Sequence, residues 1–259
     1  MNIRHRIIPT LLIKGDGLVK GKKYKNHKYI GDPINAIRIF NEKEVDELVF
    51  LDISLDRFKK GPNFKLIEDI ASEAFMPFSY GGGISNLKQI KEVISIGVEK
   101  VILNTTAIEN PNFISDAADI IGSSSIVVSL DLLRGNNNKI YLTKLSGKKK
   151  TNIDPLKFAS YIEKKGAGEL IINCIGNDGT MQGYDLNIIQ KISSKVKIPT
   201  IALGGAGKYD HFREAIKSGA SAVAGGSIFV LQGRHKAVLI TYPNQSVIKE
   251  LSNNMNLSD

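Results

Sequence analysis

The sequence contains no tryptophan and a single cysteine, Cys174, among its 259 residues. One cysteine cannot form an internal disulfide, and this pattern is typical of proteins kept in a reducing compartment. The first residues lack the apolar segment of a signal peptide, and no apolar run reaches the length needed to cross a bilayer. These absences exclude a disulfide scaffold and predict a cytoplasmic protein without a membrane segment.

Acidic side chains are also in short supply: 26 aspartates and glutamates stand against 35 lysines and arginines, a formal net charge of +9. Much of the excess lies in two lysine-rich segments, residues 20–28 and 148–150. A basic surface can indicate a nucleic-acid partner. Solvated loops, or a basic loop above an anionic phosphate ligand, account for the same charge, so we expect no nucleic acid.

The remaining composition is that of an ordinary globular protein, with 42% hydrophobic and 24% charged residues. A chain of this length can bury one large core. We therefore predict a single domain over residues 1–259, with a disordered tail from about Ser252.

Short apolar segments rich in β-formers alternate with amphipathic helical patterns, such as those at residues 87–96 and 211–217. Repeated βα units predict a parallel sheet, and eight of them in a chain of this length favour a closed (β/α)8 barrel, or TIM barrel. The predicted strands are residues 6–13, 47–53, 77–80, 100–104, 126–131, 169–175, 199–203 and 222–225.

An internal repeat supports a closed barrel. Glu47 and Glu169 lie 122 positions apart, and the same offset relates Pro77 to Pro199, Gly82 to Gly204 and Gly97 to Gly219. The repeat predicts two fused half-barrels of four βα units each. The two glycine-rich turns would then face one another across the barrel mouth.

The two glycine-rich turns follow the third and seventh predicted strands, and a further glycine pair ends the eighth. Glycine lets a ligand approach the backbone closely, and the amides there can hold phosphate oxygens. One Gly-Gly pair is explained equally well by a tight turn, but symmetric clusters predict a ligand with phosphates at both ends. The candidate phosphate-binding residues are Gly82, Gly83, Gly204, Gly205, Gly226 and Ser227.

Polar residues stand where other predicted strands end. Asp131 follows a buried strand, so desolvation there favours a general acid or base, although a carboxylate that caps the next loop would look the same. Asn104, Ser146 and the pair Asp178-Gly179 are candidate ligand contacts. A turn alone would also explain Asp-Gly.

Four charged residues begin strands one, two, four and six: Arg6, Glu47, Lys100 and Glu169. They are either unrelated surface charges or a salt-bridged ring that closes the barrel floor. Because such a ring is costly to desolvate, it would indicate a gate more than a stabilising device.

Several motifs together make the sequence resemble the cyclase subunit of imidazole glycerol phosphate synthase, the HisF family, over nearly its whole length. They are RIIP (6–9), VKG (19–21), GDP (31–33), DELVFLDI (46–53), GGGI (81–84), DGT (178–180), GYD (183–185) and GGAG (204–207).

The resemblance implies a HisH-like glutaminase docked at the barrel floor, from which ammonia passes up the barrel to a phosphorylated ligand in the mouth. The four floor charges match the ammonia gate of the family, and Lys20 matches the lysine of the first loop, which covers the substrate. No cofactor and no metal are implied. Cys174 lies within a predicted strand and is interpreted as structural.

One departure from the family concerns catalysis. The family uses two aspartates, and Asp131 matches the second, but Leu12 stands where the first is expected. Leucine cannot transfer a proton, so half of the acid/base pair is missing. Asp16 lies nearby, and one hypothesis is that it takes over the role of the missing aspartate.

The segment at residues 229–240 also departs from the family pattern. Both departures resemble the divergent paralogues of surface-polysaccharide gene sets. Three hypotheses follow. The chain supplies ammonia to a separate sugar amidotransferase, it is a true lyase/cyclase that forms imidazole glycerol phosphate and aminoimidazole carboxamide ribonucleotide, or it only activates the glutaminase.

Overall fold

A computed structural model describes residues 5–249. Each predicted strand is present, with bounds shifted by a few residues at most. In chain order the strands are β1 (Arg6–Lys14), β2 (Gly17–Lys22), β3 (Lys25–Gly31), β4 (Leu48–Asp52), β5 (Phe78–Gly81), β6 (Lys100–Leu103), β7 (Ile126–Arg134), β8 (Ile140–Lys144), β9 (Lys149–Lys150), β10 (Glu169–Cys174), β11 (Thr200–Leu203), β12 (Ala222–Gly225), β13 (Leu231–Gln232) and β14 (Ala237–Val238).

Eight of these strands close into a parallel barrel, in the order β1, β4, β5, β6, β7, β10, β11 and β12. Closure occurs where β12 pairs with β1, with Arg6 opposite Ala222. The pairing of β6 with β7 joins the two half-barrels on the other side. The predicted (β/α)8 barrel is therefore confirmed.

The helices lie between the barrel strands and cover them. They are α1 (Pro33–Glu42), α2 (Arg57–Lys60), α3 (Phe64–Glu73), α4 (Leu87–Ile96), α5 (Thr105–Glu109), α6 (Asn112–Ile121), α7 (Pro155–Lys164), α8 (Leu186–Ser193), α9 (Tyr209–Lys217) and α10 (Ser227–Val230). Sequence signals set several starts: Asp32 caps α1 and Asp154 caps α7, each followed by a proline that cannot donate a backbone hydrogen bond. The predicted helix at 211–217 begins two residues earlier, at Tyr209.

Side-chain alternation along the strands produces two apolar layers. On β1, Ile7, Leu11 and Ile13 pack against the helices, whereas Ile8 and Leu12 belong to a separate cluster inside the barrel. We call this second group the inner cluster. It consists of Ile8, Leu12, Val19, Val49, Leu51, Ile53, Ile102, Val127, Ile171, Ile201, Leu203, Ala222 and Ala224.

Two hairpins extend the barrel at its mouth. The β2–β3 hairpin follows β1 and pairs with it, with Leu12 opposite Val19. The strand β8 folds back antiparallel on β7, which continues to Arg134, three residues beyond the predicted end. The strand β9 pairs antiparallel with β8. The lysine-rich segments of the sequence lie on these hairpins.

The predicted disordered tail from Ser252 lies outside the described residues. Across residues 5–249, no helix combines the length and apolar character required of a membrane span. The same residues contain no group of three or more potential metal-ligating side chains.

Candidate functional site

The four predicted floor charges come together at the beginnings of their strands. Arg6 bridges the two glutamates: its Nη1 lies 2.6 Å from Oε2 of Glu47, and its Nη2 contacts Glu169. Lys100 Nζ lies 3.2 Å from Glu169 Oε2 and 3.9 Å from Glu47 Oε1. Burial opposes the charge of Arg6, but the two carboxylates outweigh it and raise the pKa of its guanidinium. We call this arrangement the floor ring.

Above the floor ring, the inner cluster fills the barrel with apolar side chains. Ile8, Val49 and Ile171 are each at most 2% exposed. The transfer of an ion from water into such an apolar interior costs far more free energy than the transfer of a small neutral molecule. The Thr10 hydroxyl is buried without a partner among the described residues, so the interior also holds an isolated polar group.

At the mouth, Asp131 is held by a residue of its own strand, β7, and by one of the neighbouring strand β10. Its Oδ1 accepts hydrogen bonds from Ser129 Oγ at 2.8 Å and from Asn173 Nδ2 at 2.9 Å. Burial raises the pKa of Asp131 to about 6, although both hydrogen bonds favour the carboxylate. A carboxyl group that titrates near neutral pH is suited to general acid/base chemistry.

The side of the mouth where a second carboxylate was expected is apolar. Leu12 is 3% exposed and lies in the inner cluster, with Leu51 opposite it on β4. Leu203, on β11, belongs to the same cluster. Asp16 is exposed and accepts a hydrogen bond from Asn63 Nδ2 at 3.4 Å, so the structure does not bring it to Asp131.

One cavity of the mouth, here called the first compartment, combines Asp131 with predicted phosphate-binding residues. Its lining includes Gly82, Gly83, Asn104, Ser146 and Asp131. Gly82 has φ of 147°, and a Cβ atom there would lie 2.6 Å from Cβ of Asp52. Only glycine fits this turn, because the backbone there packs closely against Asp52.

Within this compartment, the side chain of Asn104 is hydrogen-bonded to the backbone. Its Nδ2 donates to the carbonyl oxygens of Ser129 at 2.9 Å and Thr143 at 3.2 Å. Both amide hydrogens of Asn104 are therefore committed to the backbone in this arrangement, and its contact with a ligand stays a prediction. Asn104 instead ties the turn after β6 to β7 and β8.

The second glycine cluster lies beneath the β2–β3 hairpin. Lys20 Nζ lies 2.7 Å from Asp178 Oδ1, and both side chains are buried. The same ammonium packs against Gly226, where a Cβ would lie 2.9 Å from it. Asp178 Oδ2 and Ser227 Oγ are buried without partners among the described residues. The cluster therefore contains unsatisfied polar atoms, as expected of a binding site.

The other residues of this second cluster hold the backbone in close contact. A Cβ at Gly179 would lie 2.1 Å from the Gly21 carbonyl oxygen, and one at Gly205 would lie 2.0 Å from that of Gly183. Gly204 has φ of 94° and packs on Cys174. Glycine is required at these positions on steric grounds, whether or not a phosphate binds.

Sequence reasoning missed four residues of the mouth: Tyr24, Ser129, Asn173 and Leu203. Ser129 could have been found, because it lies two residues before Asp131 on the same face of β7. Tyr24 lies among lysines in the first loop, and no local signal distinguished it.

The fold and the mouth define the class of protein as a (β/α)8 barrel with glycine-rich turns at its C-terminal face. The family model described as "Histidine biosynthesis protein" matches residues 6–236. A Petrotoga mobilis protein named imidazole glycerol phosphate synthase subunit HisF is 40% identical over 86% of this chain and 89% of its own.

The sequence identity is higher with proteins that are named as putative imidazole glycerol phosphate synthase subunits. One from Leptospira interrogans is 48% identical over 94% of this chain and 96% of its own. One from Pseudomonas aeruginosa, named subunit hisF2, is 46% identical over 93% and 97%. The chain belongs to the HisF family of histidine biosynthesis proteins, which confirms the resemblance.

Proposed function

We propose that this chain accepts ammonia from a HisH-like glutaminase at its floor and delivers it through the barrel to the mouth. There it supplies a separate enzyme that amidates a surface-polysaccharide sugar. The observation that carries this proposal is the contrast between the two ends of the barrel. The floor ring is complete, whereas Leu12 replaces a proton-transferring group at the mouth.

The interior is suited to this role because its chemistry excludes ions. Ammonium would lose its hydration among Ile8, Val49 and Ile171, whereas ammonia enters at much smaller cost. The floor ring is the one charged barrier on this route among the described residues, and movement of Lys100 away from Glu47 would open it. We propose that glutaminase docking triggers this opening.

The ammonia must come from another chain, because the only cysteine is not a nucleophile. Cys174 is buried, and burial raises the pKa of its thiol to about 12. A protonated thiol packed in the outer core cannot attack glutamine. The relatives described above are named as subunits of a synthase, which supports a partner that provides the glutaminase.

The retained mouth residues favour one alternative function. Asp131 and both glycine clusters match what a lyase/cyclase of histidine biosynthesis requires, and the relative from Petrotoga mobilis carries that name without qualification. In that case the chain would split the bis-phosphorylated ribulosyl intermediate with ammonia. It would have to do so without a second carboxylate.

Turnover of the histidine-pathway intermediate separates the two functions. We expect the purified wild-type chain, supplied with ammonium salts above pH 8, to convert this ribulosyl intermediate only marginally. The physical reason is that Asp131 alone cannot both remove and return protons on opposite sides of the ligand. Imidazole glycerol phosphate formation is the measurement, with an authentic histidine-pathway cyclase as control. A rate comparable to the control would reject the ammonia-supply proposal.

A further inference from the structure

Tyr24 occupies an unusual backbone position above the barrel mouth. It lies in the two-residue turn between β2 and β3, where Lys22 pairs with Lys25. Both turn residues have positive φ, 55° at Lys23 and 56° at Tyr24. Hairpin turns of this geometry strongly favour asparagine and glycine. A lysine and a bulky aromatic residue in left-handed conformations are strained, and such strain is concentrated at functional sites.

A hydrogen bond and side-chain packing hold the turn against the barrel in this strained conformation. Lys23 N donates to the Asp178 carbonyl oxygen at 2.7 Å, and the buried ion pair of Lys20 with Asp178 lies close by. The Tyr24 ring packs against the inner cluster. These contacts direct the phenol into the mouth.

Inside the mouth, the Tyr24 hydroxyl lies beside the carboxyl group of Asp131. Asn173 Nδ2 connects them, since it donates to the Tyr24 hydroxyl oxygen at 3.1 Å and to Asp131 Oδ1 at 2.9 Å. The phenol therefore acts as an acceptor here, and its own hydrogen has no acceptor among the described residues. Asp131 Oδ2 likewise makes no hydrogen bond within residues 5–249.

Both groups line the first compartment, together with Gly82 and Gly83, whereas Leu12 and Asp16 do not. One wall thus offers a free hydrogen-bond donor and a free carboxylate oxygen, and another offers glycine amides. A small phosphomonoester with hydroxyl or carbonyl groups would satisfy all of them.

We infer that Tyr24 is a ligand-binding residue of the first compartment, which donates a hydrogen bond to a polyhydroxy phosphomonoester held between its hydroxyl and Asp131. Tyr24 thereby provides a polar group that Leu12 does not. Its burial and the charges of Asp131 and Asp178 raise the phenol pKa well above its ordinary value, so it remains a donor at physiological pH. Ligand binding also ties the hairpin to the mouth.

The test compares two tyrosines of the same hairpin. Tyr24→Phe removes the hydroxyl and keeps the ring, and Tyr29→Phe makes the same change at a residue that is 69% exposed on β3. Titration calorimetry would measure binding of inorganic phosphate, which reaches only the glycine turn, and of ribulose 5-phosphate, which extends towards Tyr24. Hydrogen exchange of residues 17–31 would report hairpin closure with each ligand.

We expect Tyr24→Phe to weaken ribulose 5-phosphate binding about tenfold, as for the loss of one buried hydrogen bond, and to leave phosphate binding unchanged. It should also lose the hairpin protection that ribulose 5-phosphate gives the wild type, while Tyr29→Phe behaves as wild type. The role of Tyr24 would be overturned if Tyr24→Phe bound ribulose 5-phosphate with wild-type affinity, or if it lost affinity equally for ribulose 5-phosphate and for phosphate. It would also be overturned if the wild type did not bind ribulose 5-phosphate. These results do not depend on ammonia transfer, so they leave the proposed function to its own test.

Discussion

Replacing Leu12 with aspartate is expected to raise ammonium-dependent turnover of the histidine-pathway ribulosyl intermediate about a hundredfold over the wild-type rate. General acid/base catalysis by one positioned group contributes roughly this factor or more. Leu12 lies inside the barrel at the end of β1, so a carboxyl group there would approach the ligand from the side opposite Asp131. The product to measure is imidazole glycerol phosphate.

Leu12→Asn is the matched control, because it introduces a side chain of the same size and polarity that cannot transfer a proton. Both variants place a polar group in the inner cluster and should lose about 3 kcal/mol of stability, so thermal unfolding must show that they remain folded. A folded Leu12→Asp variant with wild-type turnover would show that the missing aspartate does not limit catalysis.

Replacing Asp131 with asparagine is expected to stabilise the protein at pH 8 by up to about 3 kcal/mol. Burial raises the pKa of Asp131 from 3.8 to about 6, so the folded state binds the proton more tightly than the unfolded state does. The contribution of Asp131 to the free energy of unfolding is therefore most favourable below about pH 4, and it is lost as the pH rises through about 6. Asparagine stays neutral and still accepts from Ser129 and Asn173.

Denaturant unfolding of wild type and Asp131→Asn between pH 4 and 8 measures this difference. The stability gained by Asp131→Asn over the wild type should become smaller towards low pH, where the wild-type carboxyl group is protonated. Asp116→Asn, at an exposed position on α6, is the control and should show no comparable gain. If the stability difference of Asp131→Asn were the same at pH 4 and pH 8, Asp131 would not be a carboxyl group with a raised pKa.

The barrel could be predicted because its information is local and repeated. Apolar segments such as the one ending at Asp131 mark strands by composition alone, and the common offset of Gly82 to Gly204 identified the half-barrels. The charges at strand starts left two interpretations open, unrelated surface charges or a ring at the barrel floor, and only the resemblance to the family favoured the ring. In the structure, Arg6 forms ion pairs with both glutamates.

The contacts within the mouth could not be predicted, because they depend on side-chain directions between distant segments. The sequence marked Asn104 as a candidate ligand contact but gave no sign that its amide hydrogens go to carbonyl oxygens of β7 and β8. The β8–β9 extension that supplies one of them was not recognised. Tyr24 reaches Asn173 only through a turn with positive φ, for which its sequence of lysine and tyrosine gives no indication.

The route through the barrel is tested most directly by the origin of the nitrogen that leaves the mouth. The complex with the glutaminase would be given glutamine labelled with 15N in its side-chain amide, and unlabelled ammonium in excess in the buffer. The ribulosyl intermediate serves as the acceptor of the ammonia. The barrel subunit of the complex is the wild type or the Leu12→Asp variant, whichever converts this intermediate faster. We predict that the imidazole product carries 15N. A product with the isotope ratio of the buffer would mean that ammonia does not travel inside the barrel.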